Sequence, residues 1–186
     1  MDTRDFLLLA YKAFHGEING KTTLQKKVYF LGVMLDELQD LRYKPHYYGP
    51  YSSLVADANE DLKSIGYIKE SVISGGSVNS QGFEVARYDY KLTEFGNRIA
   101  DQKSKNNPKE WEKLEKAANI INNTGESDYM RLSIAAKAYY VLSQKKGEVS
   151  LKEIKDMTKK LGWSVDTSEL RKAANFLEQL DLVKQC

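Results

Sequence analysis

The chain has 186 residues, of which 41% are hydrophobic and 29% are charged, and its formal net charge at pH 7 is +2. This composition predicts a globular protein of one or two small domains, and the charge is far below the basic balance that by itself indicates nucleic-acid binding. The first residues are charged and no apolar run approaches the roughly 20 residues that cross a bilayer, so we expect a cytoplasmic protein without a signal peptide or membrane span.

The first part of the chain predicts three helices. Apolar residues recur at helical spacing over 4–14, 24–38 and 54–65, and the second helix is expected to pack on one face. Thr22 or Thr23 is expected to cap the second helix, and Ser52 is expected to cap the third.

Two strand-like segments follow, at 67–73 and 86–92. Gly75 and Gly76 are expected to form the turn between them, and in the return segment apolar and aromatic residues alternate with charged ones. A threonine-capped helix then begins after Thr93. A helix-rich unit that ends in a β-hairpin is typical of a winged helix.

Three sequence motifs in this unit resemble a known family. They are Leu24-Gln25-Lys26-Lys27-Val28-Tyr29-Phe30, Tyr47-Tyr48-Gly49-Pro50-Tyr51 and Gly66-Tyr67-Ile68. Over roughly residues 5–96 the chain is similar to the Panacea domain of SocA-like antitoxins and to the related uncharacterised YwgA-like proteins, and the further C-terminal unit favours the YwgA-like side. The resemblance implies a winged-helix scaffold without a settled function.

A connecting segment follows. Residues 101–107 are polar and expected to be loose, and Asn107 is expected to cap a helix that begins at Pro108 and runs to about residue 122. The apolar residues of this helix are Trp111, Leu114, Ala118 and Ile121. They could pack across the two-fold axis of a homodimer, or brace the two units within one chain.

The C-terminal part predicts a second helix-turn-helix unit. A helix is expected over about 128–144, Ser150 opens a second helix with a capping box, and Asp166 opens a third. Leu182-Val183 is expected to start a vestigial strand. The predicted fold is mainly α with a small β-hairpin wing, in tandem winged-helix-like units at 1–100 and 127–186 that are joined by 101–126.

The two candidate recognition helices differ in charge. Helix 52–65 carries acidic residues on its outer face, and these would repel phosphate. The C-terminal unit instead presents side chains that suit phosphates and base edges, namely Lys152, Lys155, Lys159, Lys160, Arg171, Lys172, Asn175 and Gln179. The alternative is that they form an ordinary solvated helix face, since acidic residues interrupt them.

A second candidate surface lies in the first unit. His46, Tyr48, Tyr51 and Glu60 could bind a protein partner, because tyrosine provides a large contact area for little lost entropy. The alternative is that the tyrosines and Pro50 only fix the turn that orients the third helix.

The sequence contains no recognisable catalytic or cofactor-binding motif. His15 and His46 do not have metal-ligand spacing, Cys186 has no partner for a disulfide, and no glycine-rich phosphate loop is present, so we predict no catalytic activity, metal or cofactor. The leading hypothesis is a DNA-binding transcriptional regulator. The alternative is a protein-interaction module of antitoxin or adaptor type.

Overall fold

The structure, a computed structural model, describes residues 1–78 and 84–184, and the side chains of these residues except those at 74–78, 84 and 85. The helices are α1 Thr3–Ala13, α2 Lys21–Met34, α3 Leu38–Leu41, α4 Ser53–Ser64, α5 Glu94–Asn106, α6 Pro108–Asn123, α7 Tyr129–Leu142, α8 Leu151–Lys160 and α9 Thr167–Gln179. The strands are β1 Glu17–Asn19, β2 Lys44–His46, β3 Gly49–Tyr51, β4 Ile68–Val78 and β5 Glu84–Leu92. The described residues are therefore mainly helical with small antiparallel sheets, as the sequence predicted. None of the described helices is both long and apolar enough to span a membrane.

The main sheet has the strand order β1-β5-β4 and is antiparallel throughout. The predicted hairpin is confirmed by the pairing of β4 with β5, but β1 was not predicted because three residues carry too little pattern. The prediction of a turn at Gly75-Gly76 is wrong, since both glycines belong to β4. A register shift between Ser74 and Val78 marks an irregularity there, where strand glycines are commonly found.

Helix α2 lies at the centre of the molecule. It packs against α4, α6, α7 and β3, so the predicted one-sided packing is wrong. The prediction that Thr22 or Thr23 caps this helix is also wrong, because the helix begins at Lys21 and Gly20, with φ of 97°, occupies the cap position.

The predicted loose segment at 101–107 is instead helical up to Asn106, because α5 continues to that residue. Thr93 caps α5 as predicted, and its hydroxyl accepts from the Gly96 amide at 2.9 Å. Asn107 does not use its side chain to cap α6. The side-chain amide nitrogen of Asn107 donates to the Lys103 carbonyl at 3.1 Å, so this side chain closes the end of α5 instead.

Helix α6 packs against other helices of the same chain. Leu114, Ala118 and Ile121 are buried, and α6 packs against α1 and α2. The alternative in which these three residues pack across a dimer axis is therefore wrong, because they are already covered. Trp111 is half-buried, and the Lys12 ammonium lies 5.2 Å from the centre of its ring.

The C-terminal helices begin where the sequence predicted. Asp128 caps α7, and the capping box opened by Ser150 is present. At the start of α9, the Glu169 carboxylate accepts from the Asp166 amide at 3.4 Å. The predicted strand at Leu182-Val183 is wrong. The Leu182 amide donates to the Leu177 carbonyl at 3.0 Å, so it closes the end of α9 and does not pair with a strand.

Candidate functional site

A cavity of about 270 Å³ lies between the start of α2, the β2–β3 hairpin, α4 and β5. All four residues predicted to bind a partner line it, namely His46, Tyr48, Tyr51 and Glu60. They come from a hairpin and a helix that the chain brings together only on folding. The cavity is therefore the candidate functional site.

The β2–β3 hairpin places aromatic rings at one side of the cavity. The His46 and Tyr51 rings are 5.0 Å apart, and those of Tyr47 and Tyr48, in the two-residue loop, are 4.9 Å apart. Tyr47 is 77% exposed and Tyr48 is 47% exposed, so the loop offers aromatic surface to solvent. Gly49 has φ of 97°, a conformation that favours glycine, and this closes the loop.

Gln25 fixes the hairpin and α4 to α2. Its side-chain amide donates to the Ser52 carbonyl at 2.9 Å and accepts from the Ser52 amide at 3.0 Å. The Ser52 hydroxyl accepts from the Val55 amide at 3.1 Å and so caps α4, as predicted. Gln25 of the Leu-Gln-Lys motif thus makes a buried contact with Ser52, the residue that directly follows the motif at 47–51.

Lys26 also lines the cavity, and sequence reasoning missed it. It lies off the apolar stripe of α2 but is only 2% exposed, because the hairpin and α7 cover that side of the helix. Its Nζ donates to the Pro50 carbonyl at 2.7 Å. Burial, with a smaller effect from the positive charge of Lys137, lowers the pKa of Lys26 from 10.5 to about 7.

Helix α4 forms the opposite wall. Asn59 is 3% exposed, and its Oδ1 accepts from the Tyr11 hydroxyl at 2.6 Å. Burial raises the pKa of Tyr11, which keeps this phenol protonated as a donor. Glu60 is exposed and pairs with Lys63 at 2.6 Å, so it lies at the outer edge of the wall.

The side chains predicted to contact DNA are all exposed on α8 and α9. They are Lys152, Lys155, Lys159, Lys160, Arg171, Lys172, Asn175 and Gln179. Between residues 148 and 184, however, seven lysines and arginines are matched by seven acidic residues. Lys172 lines a smaller cavity of about 180 Å³ together with Glu126, Arg131 and Glu169. Their role in DNA binding stays a prediction.

Within the described part of the chain, no group of three or more His, Cys, Asp or Glu side chains is placed to hold a metal ion. His15 and His46 lie apart. His15 approaches Asn122, whereas the backbone carbonyl of His46 accepts a hydrogen bond from the indole of Trp163 at 2.7 Å.

Comparison with known proteins shows a similarity over part of the chain. The chain is 33% identical over 86 residues to the uncharacterised protein YwgA of Bacillus subtilis strain 168. The matched region covers 46% of this chain and 47% of YwgA, so it spans about half the length of each protein. No known protein family matches the chain. The chain is YwgA-like over that region.

Proposed function

We propose that this protein is a non-catalytic interaction module that binds a segment of a partner protein in the cavity between α2, α4 and the β2–β3 hairpin. The observation that carries the proposal is that His46, Tyr48, Tyr51 and Glu60 line one cavity. Its volume of about 270 Å³ lies just below the roughly 300–1,000 Å³ of small-molecule and cofactor sites. A cavity of this size suits one or two side chains of a peptide.

The aromatic residues beside the cavity support a protein partner. Tyr47 and Tyr48 are exposed in the hairpin loop, and tyrosines at the centre of an interface contribute much of its binding energy. The backbone of the hairpin is anchored through Gln25 and Lys26 before a partner arrives. A preorganised surface loses less conformational entropy on binding.

Peptide display against the immobilised protein tests this proposal. Selected peptides should bind the wild-type protein and shift the amide NMR resonances of residues that line the cavity. Tyr51→Ala should weaken this binding at least tenfold, since an aromatic anchor contributes about 2 kcal/mol or more. Tyr129→Ala is the matched control, because Tyr129 is exposed at the start of α7 and does not line the cavity.

Two outcomes would count against the interaction module. One is a selection that yields no peptide for the cavity. The other is a set of peptides whose affinity is the same for the Tyr51→Ala and Tyr129→Ala variants, because such peptides bind elsewhere.

A tandem winged-helix scaffold remains our proposal for the architecture. It is supported in residues 1–100 by the order α1, β1, α2, α4 and the β4–β5 hairpin, with α3 and the β2–β3 hairpin inserted between α2 and α4 and with β1 on the free side of β5. In residues 127–184 the support is the three-helix order α7, α8 and α9.

DNA binding by α8 and α9 is a second candidate function, supported by the exposure of all eight predicted side chains. If DNA binds there, affinity for duplex DNA should fall steeply with salt, and Lys155→Glu with Lys159→Glu should abolish binding. Lys109→Glu with Lys113→Glu makes the same change in net charge on exposed positions of α6 and should retain it. Salt-insensitive binding, or equal loss in both double variants, would argue against a site on α8 and α9.

A further inference from the structure

The cavity contains a buried cation without a counterion among the described residues. Lys26 is 2% exposed, and no described carboxylate lies within ion-pair distance of its ammonium group. An ammonium group has three N–H donors, and the described residues provide one acceptor, the Pro50 carbonyl at 2.7 Å. Donor capacity therefore remains at this wall, and the protonated form of Lys26 has no carboxylate partner among the described residues.

The charged and titratable groups around Lys26 do not neutralise it. Besides Lys26 itself, those that line the cavity are Lys21 on α2, His46 on β2, Tyr48 in the hairpin loop, Tyr51 on β3, Asp57 and Glu60 on α4, and Tyr90 on β5. Asp57 and Glu60 are exposed, and Glu60 already pairs with Lys63. On the side of α7, Lys137 opposes the charge of Lys26. An anion would relieve this repulsion.

We propose that the cavity is a carboxylate-binding site in which Lys26 pairs with a carboxylate of the partner segment. The proposal rests on the proposed interaction module and names the chemistry that the module recognises. A carboxylate fits because it can accept hydrogen bonds from the unused N–H donors of Lys26 and because its negative charge is the counterion that the Lys26 ammonium lacks. The rings of Tyr48 and Tyr51 can pack against the carbon atoms beside it.

Binding of a carboxylate should be coupled to proton uptake. The pKa of Lys26 is about 7 in the free protein, so the group is partly neutral near pH 7. A bound carboxylate favours the ammonium form and raises that pKa, because opposite charges stabilise each other in a buried site. Binding should therefore weaken as the pH rises from 7 to 9.

Benzoate is a suitable probe, and benzamide is its neutral counterpart of similar shape. Benzoate should shift the amide NMR resonances of Tyr48 and Gly49 and raise the pKa of Lys26, followed through its labelled side-chain carbon. Lys26→Met should weaken benzoate binding at least tenfold. Lys27→Met is the matched control, because Lys27 is half-buried over the Phe14 ring and does not line the cavity.

Equal binding of benzoate and benzamide would overturn the proposal, as would unchanged binding by the Lys26→Met variant. If that variant does not fold, the wild-type titration decides. A pKa of Lys26 that stays the same with saturating benzoate would contradict the pairing.

Peptides from the display selection separate the two sources of a carboxylate. Amidation of the peptide C-terminus should abolish binding if the chain end is recognised, and Asp→Asn or Glu→Gln changes should do so if a side chain is recognised. Tight cavity binding that is insensitive to all of these changes would overturn the carboxylate site and leave the interaction module standing. Benzoate binding through Lys26 without any peptide binding would support the carboxylate site and contradict the interaction module.

Discussion

At the scale of single residues, Lys26 shows how position in the fold changes the chemistry of a side chain. A lysine on a solvated helix face keeps its charge, whereas Lys26 is covered by the hairpin and α7. Removing the ammonium group from water disfavours its charged form, and one hydrogen bond to the Pro50 carbonyl compensates only part of that loss. The residue therefore costs stability when it is protonated and makes the cavity receptive to an anion.

The pH dependence of folding should report this burial. The pKa of Lys26 is about 7 in the folded protein, against the ordinary lysine value of 10.5, so between these values the unfolded chain holds a proton that the folded chain lacks. Between pH 7 and pH 10.5 this group should raise the free energy of unfolding by up to about 1.4 kcal/mol for each pH unit. Below pH 7 its contribution should no longer change with pH.

Urea denaturation from pH 6 to 9.5 measures this rise. Lys26→Met should remove that part of the slope, whereas Lys109→Met, at an exposed position on α6, should keep it. The same slope in both variants would contradict the assignment to Lys26.

At the scale of secondary-structure elements, the β2–β3 hairpin depends on contacts with α2. Gln25 bonds both backbone groups of Ser52, and Lys26 bonds the carbonyl of Pro50. Tyr43, just before β2, donates its hydroxyl hydrogen to the Gln25 carbonyl at 2.8 Å. A two-stranded hairpin is marginal on its own, so these contacts decide whether it keeps its shape.

Gln25→Ala should release this hairpin and the start of α4. The change leaves the buried Ser52 amide without its partner, whereas the Ser52 carbonyl still accepts from the Ala56 amide at 3.2 Å, so we expect the free energy of unfolding to fall by about 1–3 kcal/mol. Hydrogen exchange at the Ser52 amide should become faster. Gln39→Ala, at an exposed position in α3, is the control and should change stability by less than about 0.5 kcal/mol.

At the scale of the whole molecule, the buried apolar residues form one continuous cluster that includes residues from α1 to α9. Helix α7 packs against both α2 and α9, and the rings of Phe30 and Phe176 meet with 5.2 Å between their centres. The indole of Trp163 bonds the carbonyl of His46, which links the C-terminal helices to the hairpin beside the cavity.

Because this core is shared, we expect the chain to unfold in a single transition. Trp111 lies on α6 and Trp163 precedes α9, so the variants Trp111→Phe and Trp163→Phe each leave one tryptophan as a local reporter. In each variant, the fluorescence of the remaining tryptophan and the far-UV circular dichroism should change at the same urea concentration. A difference between fluorescence and circular dichroism in either variant would indicate that the two units unfold separately.

The sequence alone determined most helices and their caps. Ser52, Thr93, Asp128 and Ser150 act within three residues of their own position, and apolar spacing within one helix is equally local. Tertiary structure decided what depends on distant neighbours, including the strand β1, the central place of α2 and the burial of Lys26. The candidate site shows both contributions. Its tyrosines and His46 were visible in sequence, but its buried cation arises only when the hairpin and α7 cover α2 and exclude water.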